Sequence, residues 1–365
     1  MNKQTYHRYR TIDGIRGLAA LSVVFFHLSI QLTDELYQLF PYFINLAFSY
    51  GYLGVPVFFV ISGFVISLSI GSNTITPKYF GNFVLRRSIR LDPTYWASIL
   101  IAIVLMYIKK EFVDPTLVMP DSYSVFTHMF YLQDILSVTP AISVIYWTLC
   151  LEVQLYLFYI ISLWVAQKAV KKIKVNLAIF HQVLVFIIGL ISVAINYKTI
   201  SLPVSGLFLP YWHYFLLGVM VSNIIKGAIY SKVLFLLFLV LEFSFLGTSI
   251  INTYAITGLV TSTFILTLWR YNLLDSVFTS KTLLFLGEIS YTLYLIHPDI
   301  GWKVISIGKL IFKDNMTPSI GGLLLLIGIL ISIFCAYILH LLVEKPTLRL
   351  CNRLKLKRPL IKKEL

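Results

Sequence analysis

The chain has 365 residues, of which 58% are hydrophobic and 13% charged, and its mean hydropathy is +0.83. A soluble domain is about 45–50% apolar and about 25% charged, so a soluble globular enzyme, a disordered chain and a wet nucleic-acid-binding surface are excluded. The net charge of +14 belongs first to the sided loops of a membrane protein.

A spanning helix takes about 20 mostly apolar residues. Ten such runs occur, over residues 15–32, 51–70, 93–110, 146–166, 176–195, 209–225, 233–249, 252–269, 282–299 and 319–343. The fold class expected is all-α, a polytopic integral membrane bundle of about ten helices. With the N-terminus inside and strict alternation, 24 of the 30 Lys and Arg residues fall inside and 6 outside. That bias predicts N-in and C-in. Residues 1–346 read as one membrane domain and 347–365 as a basic cytoplasmic tail. Met1 to Ile30 has a basic head and an apolar run, as a signal peptide does. It lacks a small-x-small cleavage site and carries His27 within the run, so it reads as a retained first helix. Residues 111–145 are broken by Asp114, Pro115, Pro120, Asp121, Asp134 and Pro140. They read as a partly buried external loop or half-helix. Cys150, Cys335 and Cys351 form no CxxC, so neither a disulfide framework nor a structural zinc site is expected.

Ionisable residues inside a span are costly and point to function. The first span has three: Asp13, Arg16 and His27. His27 is eleven positions after Arg16, about 1,100° of rotation, so both share one face with about 16 Å of rise between them. Asp13 stands one turn before Arg16 and can pair with it. One stripe would then link an anion site at the inner mouth to a buried imidazole. The alternative is an ordinary topogenic arginine and a packed histidine. Arg86, Arg87 and Arg90 precede the third span. Arg87 and Arg90, at i and i+3, could clamp a phosphate or carboxylate, or simply enforce sidedness.

Trp147 opens a segment that places Glu152 one and a half turns into the fourth span, near the outer face. A carboxylate there needs a partner or a water-filled cavity. Glu242 lies deeper in the seventh span without polar companions in sequence and reads as structural. Ser290, Tyr294 and His297 repeat at i, i+4 and i+7, one polar stripe on an apolar helix, with Tyr291 beside it. That stripe reads as an acceptor-side site or as an interfacial Tyr/His belt. The sequence holds no P-loop, GxSxG, HExxH or dinucleotide fingerprint, and no metal is expected.

Six ordered motifs together resemble the membrane acyltransferase family 3, the O-acyltransferases of bacterial surface glycans. They are Ile12-Asp-Gly-Ile-Arg-Gly-Leu-Ala-Ala-Leu-Ser-Val-Val-Phe-Phe-His27, Gly54 to Phe64, Arg87-x-x-Arg90 with Pro93-Thr-Tyr-Trp96, Trp147 to Leu157, Ile289 to His297, and Glu344-Lys-Pro346. The resemblance covers about Arg10 to Pro346. Two departures stand out: Asp92 replaces the usual aromatic before Pro93, and Val153 replaces a frequent second acid after Glu152. No SGNH-hydrolase domain follows, so the chain resembles the stand-alone type.

The resemblance implies acetyl-CoA as donor and a glycan hydroxyl as acceptor, in a bacterial inner membrane. Arg16, Arg87 and Arg90, with Asp13 and Arg86, would hold the donor. His27 would be the general base, with a reference pKa of about 6.5 that suits work near neutrality, or a nucleophile carrying the acyl group. Glu152 would assist catalysis. Trp147, Ser290, Tyr291, Tyr294 and His297 would face the acceptor. A glycan transporter on the same scaffold is the competing expectation; it would need no CoA site. Partners expected are acyl-CoA, a glycan and the lipid bilayer, with no nucleic acid.

Overall fold

The computed structural model describes residues 9–71, 73–202, 204–246 and 252–353. Lys3, Arg8, the far end of the seventh expected span and the basic residues beyond Arg353 lie outside the described residues. Among the described residues there are helices and turns and no strand. In chain order the helices are α1 (Arg10–Ser29), α2 (Thr33–Leu39), α3 (Tyr42–Ser49), α4 (Gly54–Ile70), α5 (Pro77–Phe112), α6 (Ser122–Met129), α7 (Trp147–Ile173), α8 (Leu177–Asn196), α9 (Trp212–Ile225), α10 (Ile229–Leu246), α11 (Thr253–Arg270), α12 (Lys281–Glu288), α13 (Ser290–Phe312), α14 (Pro318–Leu339) and α15 (Lys345–Arg353). Among the described residues, six stretches are long and apolar enough to cross a membrane: Arg10–Leu39, Tyr42–Ile70, Pro77–Phe112, Trp147–Ile173, Leu177–Asn196 and Pro318–Arg353. Leu209–Ile225 is a shorter apolar helix, and α10, α11 and α12–α13 occupy the remaining expected spans. The protein is an all-α polytopic membrane bundle.

Two boundaries differ from the sequence expectation, and both matter for the site. The third span was expected from residue 93, but α5 starts at Pro77 and runs 36 residues, about 54 Å. Pro77 stands in the first turn, where its missing N–H costs nothing, and the Thr76 hydroxyl caps Tyr79 N. Arg87 and Arg90 therefore lie about 15 and 20 Å inside a helix rather than on its approach. The ninth span was expected to end at 299. The chain instead breaks at Ile289 and α13 continues to Phe312, so His297 is two turns into a helix instead of at its outer end. Residues 111–145 hold the last two residues of α5 and then α6, eight residues or about 12 Å, too short to span. The expected tail begins as a helix: α15 lies on α5, with the Cys351 thiol directed to the Arg86 carbonyl at 3.4 Å.

Helix α1 is held at both ends. Its first N–H groups have no intrahelical acceptor, and Tyr9 supplies no side-chain cap. The loop before α12 does so instead: Thr11 N donates to Leu274 O at 3.1 Å and Arg10 N to Asp275 Oδ1 at 3.1 Å. The Thr11 hydroxyl adds a bond to Val277 O at 2.7 Å. At the other end, Trp302 Nε1 donates to the His27 carbonyl at 2.6 Å. Between these ends α1 packs on α12 without side chains intervening. A Cβ added at Gly287 would lie 2.1 Å from Asp13 O, and one at Gly17 2.6 Å from Gly287 N. Small residues admit this approach in a membrane, where packing and interhelical bonds replace the hydrophobic drive.

Elsewhere buried polar pairs join neighbouring helices. Ser162 meets His181 Nε2 at 3.0 Å, Ser192 meets His213 Nδ1 at 2.9 Å, and Tyr197 donates to Glu242 Oε2 at 3.1 Å. Glu242 also stands 3.7 Å from His213 Nε2, so it has the companions that its sequence neighbours lacked. His128 is tied to Ser124 O at 2.7 Å and accepts from Ile142 N at 3.3 Å, which anchors the α6 segment.

The α1–α12 contact gives a stability prediction. Gly287→Val overpacks a backbone-to-backbone contact, which costs about 1–3 kcal/mol. The unfolding midpoint of the detergent-solubilised protein should fall by several degrees in a thermal-shift measurement, while Leu18→Ala, at an exposed site on α1, should leave it within error.

Candidate active site

The charged residues of three helices meet at one narrow cavity of about 90 Å³. Arg16 comes from α1, Arg87 and Arg90 from α5, and Glu152 from α7; Glu344, beyond α14, and Tyr294 of α13 complete the part that carries chemistry. Three guanidiniums thus face two carboxylates. Glu152 feels Arg16 most, then Arg87 and Arg90. Arg16 feels Asp13, Glu152 and Glu344 as attractive charges and Arg90 as a repulsive one.

Each member is held. Glu152 Oε1 accepts from Tyr156 OH, one turn along α7, and from Ser62 Oγ of α4 at 3.1 Å. The Arg87 guanidinium lies over the Tyr156 ring at 4.9 Å and the Phe83 ring at 5.7 Å, a cation–π arrangement that holds a planar charge in an apolar setting. Glu344 is bound by His340 Nδ1 at 2.8 Å within a π-helical turn, His340–Glu344. Such turns are rare and recur at functional sites. His340 Nε2 stands 3.3 Å from Glu288 of α12. Tyr291 lines the cavity and donates to Leu91 O of α5 at 3.0 Å. Ser290 lines it too, with its hydroxyl bonded to Gly287 O at 2.9 Å.

His27 lies beyond the Tyr294 wall. Its Nδ1 is 3.0 Å from His297 Nε2 and 3.1 Å from Val23 O. His297 sits one turn from Tyr294, with ring centroids 5.9 Å apart. Tyr294 OH meets Thr148 Oγ1 at 2.9 Å, which ties this wall to α7. The Trp302 and Phe26 rings flank the His27 imidazole at 6.1 and 5.1 Å.

The arrangement differs from the sequence expectation in its grouping. Arg16, Arg87 and Arg90 come together as expected, and His297 pairs with His27. Glu152, Ser290, Tyr291 and Tyr294 were expected on an acceptor side, yet they share the cavity with the arginines. The extended α5 is the reason, because it carries Arg87 and Arg90 inward to the level of Glu152. Arg86 is not among the cavity-lining residues. It is offset from Arg87 by about 100° around α5, whereas Arg87 and Arg90 share a face. Asp13 acts on Arg16 from outside the cavity lining. Trp147 lines a different pocket of about 580 Å³ with Asp134, Lys198 and Tyr211. Its ring is 5.6 Å from that of Tyr211. Phe59 stands between the two spaces: it lines the narrow cavity and its ring lies 5.7 Å from Tyr211.

Sequence reasoning missed Ser62, Tyr156, His340 and the cavity role of Glu344. Tyr156 could have been found at i+4 from Glu152, and His340 at i−4 from Glu344; a π-turn leaves no such trace. Asp92, the departure before Pro93, is engaged by the Ser88 hydroxyl and by Tyr131 OH at 2.9 Å. It joins α5 to the segment after α6.

The sequence model described as an acyltransferase domain matches residues 9–341, nearly all of the chain. The protein belongs to the membrane acyltransferase family 3. Two relatives match smaller parts. A protein of Acidianus two-tailed virus, named as putative acetyltransferase ORF330, is 32% identical over 148 residues, 40% of this chain and 38% of the viral protein. YrhL of Bacillus subtilis (strain 168), named as a putative peptidoglycan O-acetyltransferase, is 25% identical over 175 residues, 43% of this chain and 24% of that protein. The match thus spans under two fifths of either relative's length. No solved structure matches.

Asp92 gives a prediction that separates scaffold from site. Asp92→Ala leaves two hydroxyls without their acceptor, at about 1–3 kcal/mol for each one orphaned. A lower thermal midpoint is expected, with the apparent KM for an acyl donor within twofold of the parent in a membrane-based transfer assay.

Proposed function

We propose that this protein moves an acyl group, most readily acetyl, from cytoplasmic acetyl-CoA to a hydroxyl of a cell-surface or lipid-linked glycan at the outer side of a bacterial inner membrane. One observation carries the reading: Arg16, Arg87 and Arg90 converge on a cavity whose Tyr294 wall stands one helical turn from a paired His27 and His297. With both termini inside, the arginines receive the phosphates of the donor from the cytoplasmic side, where planar guanidiniums suit phosphate oxygens. The cavity is slender, which favours the pantetheine arm over the nucleotide and directs the thioester toward His27.

In the transfer step the neutral His27 imidazole takes the proton of the sugar hydroxyl. The oxygen attacks the thioester carbonyl carbon, forming the new C–O bond. The C–S bond breaks, and the leaving thiolate takes the proton back from the imidazolium, giving the ester and free CoA thiol. Placing the two reactants in one site supplies much of the rate through lost translational freedom. Glu152 has a positioning part here: fixed by Tyr156 and Ser62, it holds the arginines in register between turnovers. The broader pocket with Trp147, Tyr211 and Asp134 suits a sugar, since an aromatic pair offers a face to the ring and a carboxylate accepts from hydroxyls. The name of the Bacillus relative, a peptidoglycan O-acetyltransferase, supports a glycan acceptor.

The test is incorporation of label from radioactive acetyl-CoA into glycan by membranes bearing the protein, with the product's O-acetyl position read by NMR. His27→Ala should abolish incorporation. Arg90→Ala should raise the apparent KM for acetyl-CoA about tenfold or more, in keeping with about 1.5–3 kcal/mol for a hydrogen bond to a charged group. A shift confined to the acceptor KM would overturn the donor assignment. Full activity of a folded His27→Ala protein would overturn the mechanism.

A further inference from the structure

Pro298 has no N–H, so the Tyr294 carbonyl four residues earlier has no helical donor. His297 Nδ1 lies 2.8 Å from that carbonyl and 3.1 Å from Leu293 O. A carbonyl oxygen only accepts, so His297 Nδ1 must carry the proton. The His297 ring is fully buried, and as a neutral imidazole its Nε2 is then a bare acceptor. That acceptor faces His27 Nδ1 at 3.0 Å. His27 Nδ1 also faces Val23 O at 3.1 Å. Both groups before it accept, so His27 Nδ1 in turn must carry its proton. The other nitrogen, His27 Nε2, is left with the lone pair.

We propose that His297 is the positioning residue that sets the tautomer of His27, so that Nε2 alone is the base. The His297-Pro298 dipeptide begins a chain of two donations: His297 Nδ1–H to the carbonyl that the proline frees, and His27 Nδ1–H to His297 Nε2. The Trp302 bond to the His27 carbonyl, 2.6 Å, fixes the backbone from which the imidazole projects. His297, expected from its stripe to face the acceptor, has a different task in this geometry. When His27 takes the acceptor proton on Nε2, the imidazolium keeps its Nδ1–H bond to a neutral acceptor. The pair thus changes charge on one ring only, and the second ring moves no proton. The assignment of His27 as base rests on the function proposed above, while the tautomer itself does not.

Two measurements test it. Full-length protein labelled with 15N-histidine is placed in lipid bilayers, and the His27 signals are identified by their loss in His27→Asn. A protonated Nδ1 and a bare Nε2 are expected, and an Nε2-protonated His27 overturns the proposal. In the acetyl-transfer assay, His297→Leu should lower kcat by about 10²-fold or more with the KM for acetyl-CoA nearly unchanged; loss of the tautomer-fixing group in a Ser-His-Asp triad costs about 10⁴. His297→Gln offers a side-chain oxygen to His27 Nδ1 and should recover most of the lost kcat. The spectrum of His297→Leu should show both His27 tautomers. Equal kcat in His297→Leu and parent overturns the proposal, as does equal loss in Leu and Gln variants that keep the parent's thermal midpoint. If the tautomer is as expected but no acetyl group is transferred by the parent, the proposed function fails and the positioning of His27 stands.

Discussion

Guanidinium groups inside an apolar bundle demand counter-charge, and that demand organises this protein. A lone buried charge is costly in hydrocarbon, so Arg16, Arg87 and Arg90 require Glu152, Glu344 and Asp13 within electrostatic reach. Each carboxylate in turn requires a fixed position. Tyr156 and Ser62 hold Glu152, and His340 holds Glu344 through a turn wound out of the ordinary helical register. The α7, α4 and α14–α15 regions thereby become parts of one electrostatic unit. The intimate contact of Gly17 with Gly287 belongs to it too, because it sets α1 against the start of α13, where Ser290 and Tyr291 meet the cavity.

Two chemical settings then sit side by side. The cavity is rich in fixed charge. The adjoining histidine pair has no charged neighbour among its hydrogen-bond partners, which are Val23 O, Leu293 O, Tyr294 O and each other. Tyr294 separates the two and touches both, through its place in the cavity wall and its ring beside His297. A charged ligand part can therefore be gripped on one side while a neutral imidazole is kept on the other. Mixing the two would pair the imidazole with a carboxylate and commit it to the protonated form.

The architecture was largely legible because the signals were long. Over the described residues the ten apolar runs coincide with helices, since a 20-residue apolar segment has few other stable forms in lipid. The Arg16–His27 stripe was legible because rise and rotation along one helix are fixed quantities. What failed to read out was relative depth between helices. Nothing in residues 77–92 is apolar enough to announce that α5 begins at Pro77, since the cation-rich stretch is made helical by its cap and by partners on α7, α13 and α15. Glu152 was consequently read apart from the arginines it meets, although Ser290 and Tyr294, its expected neighbours, do line the same cavity. Ser62 and Tyr156 were hidden for a related reason: a hydroxyl on an apolar helix carries no sequence sign of which distant carboxylate it meets. His297 was visible as part of a stripe, but its partner lies 270 residues away.

The fixed ends of α1 turn that helix into a measuring rod. Arg10 and Thr11 are pinned to the loop before α12, and the His27 carbonyl is pinned to Trp302. The ten residues between Arg16 and His27 can neither slide nor rewind independently of the bundle. Side chains that project from this segment toward lipid are free to drift in evolution, as the exposure of Leu18 illustrates. Its length is not. One inserted or deleted residue would turn the imidazole about 100° away from its stripe while leaving composition and hydropathy untouched. Gaps, rather than substitutions, are thus the changes this helix is least able to absorb.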